Sequence, residues 1–238
     1  MAAYDAYAKF YDATQGSSVA AGYKHLLARF HPHARSLLEI ACGTGVVLQQ
    51  LAPNYEQTAG LDISGPMLRI ARRKLPHTKF YRQDMTHFRI NASFDAVICP
   101  YDAINHLLRF SDWTRTFQSA KRHMNPHGVF IFDMNTHFKL EQLMAKPPFV
   151  QEFDGGTLIM SVVNAGRQVS DWRLQIYERE GGARFRLHSE SIKEVAYSAD
   201  RVRDALQRIF RFVRALDAHR DWSRPTKSSG RLYWVCRN

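Results

Sequence analysis

The sequence predicts an α/β fold: a parallel sheet with helices on both faces, followed by an antiparallel β region. Three observations lead there. Between Ser36 and Asp133, five short apolar runs alternate with helical stretches, the pattern of successive βαβ units. From about residue 150 the period changes to strand-like runs joined by turns. The length of 238 residues, 45% of them apolar, fits one large domain with a modest insertion and supplies a real core.

The elements follow in order. Tyr4, Tyr7, Phe10 and Tyr11 recur at three-to-four spacing and make one aromatic helical stripe. A second helix runs from about Ser18 to Phe30 and stops near Pro32. Ser36 to Ala41 is the first strand, ended by Cys42-Gly-Thr-Gly45, and Val46 to Ala52 is helical until Pro53. Thr58 to Asp62 is the second strand. Ser64 is a good N-cap, Pro66 fits the first helical turn, and the helix from Met67 to Leu75 is closed by Pro76. Lys79–Arg82 and Phe94–Cys99 are strands three and four. Ser111 is read as the cap of a helix to about Met124, Asn125-Pro-His-Gly128 as a turn, and Val129–Asp133 as strand five. Gly156–Val163, Trp172–Glu180 and Phe185–Ala196 are the antiparallel runs. Ser198 caps a helix to about Arg208, and Phe210–Ala215 and Leu232–Cys236 are the last strands.

Composition narrows the function. No run of about 18 apolar residues occurs, so no transmembrane helix is expected. Met1-Ala-Ala-Tyr-Asp5 does not read as a signal peptide. Cys42, Cys99 and Cys236 lie far apart, which argues against a disulfide scaffold or zinc ribbon and for a reducing cytoplasm. The net charge of +11 is divided almost evenly, +6 over residues 1–140 and +5 over 141–238. Its densest run, Arg72-Arg73-Lys74, reads as a solvated helix face. A continuous nucleic-acid groove is therefore not expected.

Glu39-Ile-Ala-Cys-Gly-Thr-Gly45 lies between a strand and a helix. Glycine there lets the backbone approach a ligand, and the helix start offers unpaired N–H groups. Asp62 ends the next strand, where a carboxylate can take both hydroxyls of a ribose. Leu48 stands where a dinucleotide fingerprint has its third glycine, which weakens that reading.

The whole pattern resembles the class I S-adenosylmethionine-dependent methyltransferases, of the small-molecule type. Their first motif is matched by Glu39 to Gly45, their second acid by Asp62 in Gly-Leu-Asp-Ile-Ser64, and their adenine-binding acid by Asp84 in Gln83-Asp-Met-Thr86. Their fourth-strand motif is matched by Phe94 to Cys99, and their Tyr-Asp ahead of the core by Tyr11-Asp12.

The resemblance implies a Rossmann-like doubly wound seven-stranded sheet with an antiparallel β insertion after strand five. It implies three parts: an N-terminal helical lid (1–34), a cofactor-binding core (35–145 and 197–238) and the insertion (146–196) over the acceptor site. The cofactor would be S-adenosyl-L-methionine, leaving as S-adenosyl-L-homocysteine. Gly43 and Gly45 would pass close to its methionine moiety and Glu39 would order its ammonium. Asp62 would hold the ribose, Asp84 and the Met85 backbone the adenine, with Ile63 and Met67 packed on the ring. Ala41, Thr44 and Cys99 complete the implied cofactor set. Tyr11 would close over the methyl end, where an aromatic face suits a sulfonium charge.

Methyl transfer is a direct displacement, so positioning can supply much of the catalysis. Where the acceptor must lose a proton, His106 is the best base candidate because histidine titrates near neutrality. His137 is second. His188 and Glu190 share a strand face, read as exposed. His31 and His33 have no third ligand nearby, so no metal is read. Cys42 reads as a buried, inert thiol. Cys99-Pro-Tyr101 differs from the Asn/Asp-Pro-Pro-Tyr loop of nucleic-acid amino-methyltransferases at two positions. The expectation is a cytoplasmic enzyme, monomer or homodimer, that methylates N or O of a small-molecule acceptor. An RNA or protein methyltransferase and a noncatalytic cofactor-binding module stay open as alternatives.

Overall fold

The computed structural model describes residues 4–15, 19–166 and 168–238. The readings placed on Met1–Ala3 and on Ser18 lie outside those residues. Seven strands form the main sheet: β1 (Ser36–Ile40), β2 (Gln57–Asp62), β3 (Lys79–Arg82), β4 (Phe94–Cys99), β5 (Met124–Asn135), β10 (Phe212–Leu216) and β11 (Arg231–Arg237). Their order is β10-β11-β5-β4-β1-β2-β3. The pairs within β1 to β5 are parallel, while β11 runs antiparallel to both β5 and β10. Reversal of β11 is the departure from an all-parallel sheet. The sheet order turns at β1 and β4, whose carboxyl ends open a crevice for ligands.

Two hydrophobic layers flank the sheet. On one face Tyr23, Leu26 and Leu27 of α2 (Val19–Phe30) and Val47, Leu48 and Leu51 of α3 (Val46–Leu51) meet Leu37, Ala96 and Ile131. On the other, Trp113 and Phe117 of α5 (Phe110–Arg122) and Val202 and Leu206 of α7 (Ala199–Gln207) cover Val97, Phe130 and Trp234. Strands buried on both faces explain the continuous apolar runs in the sequence.

The second sheet is a four-stranded antiparallel meander of β6 (Phe149–Phe153), β7 (Gly156–Asn164), β8 (Val169–Gly181) and β9 (Arg184–Val195). It follows α6 (His137–Met144). Tyr7 and Phe10 press onto its Leu158, Leu174, Ile176 and Ile192. The helix α1 (Ala8–Thr14) is thereby held against the small sheet, over the carboxyl end of the large one.

Local chemistry explains most boundaries. Ser64 Oγ accepts the Met67 N–H at 3.3 Å and starts α4 (Gly65–Lys74). Ser198 does the same for α7 through Arg201. The reading of Ser111 as a cap is corrected: Ser111 lies inside α5, whose N-cap is Arg109 with no side-chain cap bond. The reading of Asn125–Gly128 as a turn is corrected too. These residues form an irregularity within β5, where the register to β4 shifts between Phe94↔Met124 and Ala96↔Val129.

Candidate active site

The glycine loop sits at the carboxyl end of β1. Gly43 and Gly45 take φ of +52° and +76°, the left-handed region that glycine enters freely. A side chain on Gly43 would meet only the Met67 sulfur within 4 Å, so this backbone faces open space. Asp62 ties the loop to β2: one carboxylate oxygen accepts the Gly43 N–H and the other the Ser64 N–H, both at 2.8 Å. Burial pushes the Asp62 carboxyl up, and these amides oppose it.

Glu39 lies at the floor, 2% exposed. Its Oε2 is buried and has no hydrogen-bond partner among the described residues. Burial, then the neighbouring Asp62, pushes its carboxyl well above the usual range. A buried carboxyl oxygen facing a cleft is costly unless a cation or donor meets it. The ammonium of a bound amino acid would supply both, and so the residues present fit the methionine end of S-adenosylmethionine.

The cleft over this loop is about 150 Å³, lined by Glu39, Ala41, Gly43, Asp62, Met67 and Met85 among others. A second hollow of about 160 Å³ shares Ala41, Asp62, Ile63, Met85 and His106 with it and adds Asp84. Ile63, 51% exposed, forms an apolar shelf between them. Asp84 accepts the Thr86 N–H at 2.8 Å, which fixes the turn, and the residue lines the hollow. The sequence-predicted cofactor residues Glu39, Ala41, Gly43, Asp62, Ile63, Met67, Asp84 and Met85 are thus brought together. Thr44 and Gly45 lie behind the cleft wall, Thr44 fully buried. The Cys99 side chain is also fully buried, in the core; its carbonyl accepts the Tyr23 hydroxyl at 3.1 Å.

A larger cavity of about 550 Å³ adjoins the cleft, and the two share Tyr4, Tyr11 and Tyr101. Tyr4 and Tyr11 lie 6.0 Å apart, edge to face. Tyr4, read from the sequence only as a packing member of the aromatic stripe, presents its hydroxyl to His106 Nε2 at 3.1 Å. His106 lines the cleft and hollow but not the large cavity. Burial lowers its pKa, against the pull of Asp102, which favours neutral imidazole. His137 begins α6 and lines neither cavity. His188 bonds Glu178 at 2.9 Å, and Glu190 accepts the Tyr7 N–H at 3.0 Å and the Tyr4 N–H. The pair holds the N-terminal segment.

Sequence reasoning missed the charge cluster under the large cavity. Arg231 of β11 donates to Asp102 at 2.5 Å and to Asp133 of β5. Asp133 also accepts the Asp102 N–H at 3.0 Å. Tyr101 and Asp102 both sit at positive φ, +57° and +46°, where side chains are strained and local contacts must compensate. The Arg231–Asp133 clamp supplies them. Asn135 donates to Asp102 at 2.7 Å and to Glu194 at 3.2 Å, and Glu194 lines the cavity.

Residues 37–128 match a family described as a methyltransferase domain. The chain is 36% identical over 114 residues to a dTDP-3-amino-3,6-dideoxy-alpha-D-glucopyranose N,N-dimethyltransferase of Streptomyces fradiae, a match covering 48% of this chain and 45% of that relative. The chain thus spans under half the length of this curated relative. Its fold is similar to a S-adenosylmethionine-dependent methyltransferase of Clostridium acetobutylicum, with a TM-score of 0.83, 22% identity and 98% of both chains covered. It is also similar to the sugar N-methyltransferase KedS8 of a Streptoalloteichus species, with a TM-score of 0.80, 25% identity, and 98% and 93% covered. Residues 37–128, which hold the glycine loop and Asp62, thus match a methyltransferase domain, and the fold around them is similar to that of S-adenosylmethionine-dependent methyltransferases.

Proposed function

We propose that this chain moves a methyl group from S-adenosylmethionine to N or O of a small-molecule acceptor. The observation that carries the reading is the wall of Tyr4, Tyr11 and Tyr101 shared by the glycine-loop cleft and the 550 Å³ cavity. That volume suits a small molecule. When bound, the cofactor supplies an electrophilic methyl on a sulfonium. Glu39 meets its ammonium, Asp62 its ribose hydroxyls, and Asp84 with the Met85 backbone its adenine. Gly43 and Gly45 shape the loop, Ala41 and Thr44 support it, and Cys99 supports the wall from the core. Ile63 and Met67 pack on the adenine.

Tyr11 stands at the methyl end and excludes water. His106 acts through the Tyr4 hydroxyl, which reaches the acceptor side. Residues 1–34 serve as the lid, 35–145 with 197–238 as the core, and 146–196 as the cover of the acceptor site. The names of the Streptomyces and Streptoalloteichus proteins favour nitrogen on a sugar. A cytoplasmic monomer or homodimer without nucleic-acid partners completes the reading.

The test is incubation with S-adenosylmethionine and a panel of nucleotide-linked amino and hydroxy sugars, read by mass spectrometry. Methylated product supports the reading. Calorimetry showing no binding of S-adenosylmethionine or S-adenosylhomocysteine would refute it.

A further inference from the structure

The large cavity holds more acid than its own cations offset. Asp102 and Glu194 line its floor beside one guanidinium, Arg231, which is already bonded to Asp102 and to the fully buried Asp133 behind it. Among the described residues no ion pair reaches Glu194. It is 3% exposed and comes from β9 of the inserted sheet, so the cover itself delivers a carboxyl into the cavity. Facing it are Asp102 from the loop after β4, Asn135 from β5, Arg231 from β11 and Tyr4 from the N-terminal segment. The walls are rings: Tyr4, Tyr11, Tyr101, Trp172, Trp222 and Tyr233. Aromatic faces around a carboxyl that has hydrogen bonds from Asn135 and to Asp102 but no ion-pair partner among the described residues make a site for a cation on an apolar body.

We infer that Glu194 receives the acceptor nitrogen, and that the acceptor enters as a protonated amine on a compact ring-sized body. This rests on the methyltransferase reading. An ammonium has no lone pair, so one proton must leave before nitrogen can attack. At Glu194 the N–H bond breaks, its electron pair stays on nitrogen, and an O–H bond forms on the carboxyl. The nitrogen pair then forms the bond to the methyl carbon as the carbon–sulfur bond breaks and its pair goes to sulfur. The product is again an ammonium, and the proton on Glu194 returns to solvent as product leaves. Burial and Asp102 raise the proton affinity of Glu194, the direction a carboxyl needs to act as a base near neutrality.

The test needs no cofactor. Fluorescence of Trp172 and Trp222 reads the cavity directly. The probes are cyclohexylamine, cyclohexanol and cyclohexanecarboxylate, which share a ring and differ in charge. The parent protein is expected to bind the amine at least about tenfold tighter than the alcohol, as a desolvated charge contact allows. Glu194→Gln should erase that preference and Glu194→Asp restore part of it. S-adenosylhomocysteine binding should be unchanged in both variants. Glu194→Gln should fold at least as stably as the parent, because an amide beside Asp102 replaces a second carboxyl. An unchanged amine preference in Glu194→Gln, or equal binding of the carboxylate, overturns the inference. Amine binding by a protein that ignores S-adenosylhomocysteine would refute the methyltransferase reading and leave the amine site standing.

Discussion

Thr44 of the glycine loop donates a hydrogen bond to Asp12 of α1, and the other Asp12 oxygen takes Lys74 Nζ at 2.6 Å. One carboxylate thus bolts the N-terminal helix onto the loop and onto α4 at once. Ser64, which caps α4, adds a second bolt to Asp5 at 2.6 Å. Tyr4 and Tyr11, on the same segment, wall the cleft. If the cleft takes the cofactor as proposed, exchange of that cofactor requires these bonds to loosen.

Asp12→Ala should speed release of S-adenosylhomocysteine. Hydrogen bonds to charged groups contribute about 1.5–3 kcal/mol, less here because Asp12 is partly solvated. A rise of about three- to tenfold in the dissociation rate follows, measured by stopped-flow fluorescence. The melting temperature should move little, since the packing of Tyr7 and Phe10 remains. An unchanged rate in a folded variant would show that α1 does not gate the cleft.

Asp62→Ala should lower affinity for S-adenosylhomocysteine by about 2–3 kcal/mol, the scale of a paired charged hydrogen bond. The same carboxylate holds the Gly43 amide, so part of the loss is loop disorder. Asp62→Asn separates the two: its amide oxygen can keep the Gly43 bond and should retain part of the affinity. Titration calorimetry on both variants decides the matter, and equal affinity in all three proteins would remove Asp62 from the site.

Glu39 gives a pH dependence with a definite sign. Its pKa in the folded protein is raised, so the folded state holds the proton over a window where the unfolded state does not. Stability from this group is full below the unfolded carboxyl pKa and falls as pH rises through the raised value. A cationic ligand prefers ionised Glu39, so S-adenosylhomocysteine affinity should increase with pH over the same window. Binding should also release protons, detected by calorimetry in buffers of different ionisation enthalpy. Glu39→Gln should flatten both trends, stabilise the ligand-free protein and weaken binding. A variant that keeps the parent's pH trend would assign the linkage elsewhere.

Arg231 is the stability counterpart. Asp133 is fully buried, and burial pushes its carboxyl up while Arg231 pulls it down. Removing one partner of such a cluster leaves charge without compensation, at a cost of about 3–5 kcal/mol. Arg231→Met should show that loss in urea unfolding, and adding Asp133→Asn should recover part of it. Additive losses would mean that the two side chains stabilise the fold independently.

The parallel core was legible because its strands are apolar on both faces and its turns carry glycine, proline and serine caps. The cleft residues Glu39, Ala41, Gly43, Asp62, Ile63, Met67 and Met85 were legible for a related reason: they cluster within residues 39–85, at and just after consecutive strand ends. β6 was not foreseen. Phe149 and Val150 are both exposed, so it shows neither alternation nor a buried run. The bulged start of β5 read as a turn because Asn, Pro and Gly serve both. The charge cluster at the large cavity was hidden by chain distance. Asp102 and Arg231 are 129 positions apart, and only the reversed strand β11 brings them together. Glu194 reaches them from a sheet whose placement local pattern does not encode.

The last prediction concerns His106, whose weight depends on the atom methylated. It meets the acceptor side only through Tyr4, 3.1 Å from the hydroxyl, and its lowered pKa keeps it ready to accept a proton. An oxygen acceptor must lose a proton as the bond forms, and that path would run through Tyr4 to His106. General-base groups are worth about 10²–10⁴ in rate, so His106→Ala and Tyr4→Phe should then each slow turnover on that scale while cofactor affinity holds. A nitrogen acceptor deprotonated beforehand keeps its remaining protons through the transfer. Both substitutions should then cost less than about tenfold, because only the orientation of Tyr4 is lost. Single-turnover rates across pH for His106→Ala, Tyr4→Phe and Glu194→Gln separate the cases. A nitrogen acceptor predicts small losses in the first two and, in the third, a large loss over the pH range where the parent's Glu194 is ionised and the amine is still protonated; the two profiles converge at the acid end, where the parent's Glu194 is protonated too. Large losses in the first two with an amine substrate would transfer the proton step from Glu194 to the Tyr4–His106 pair.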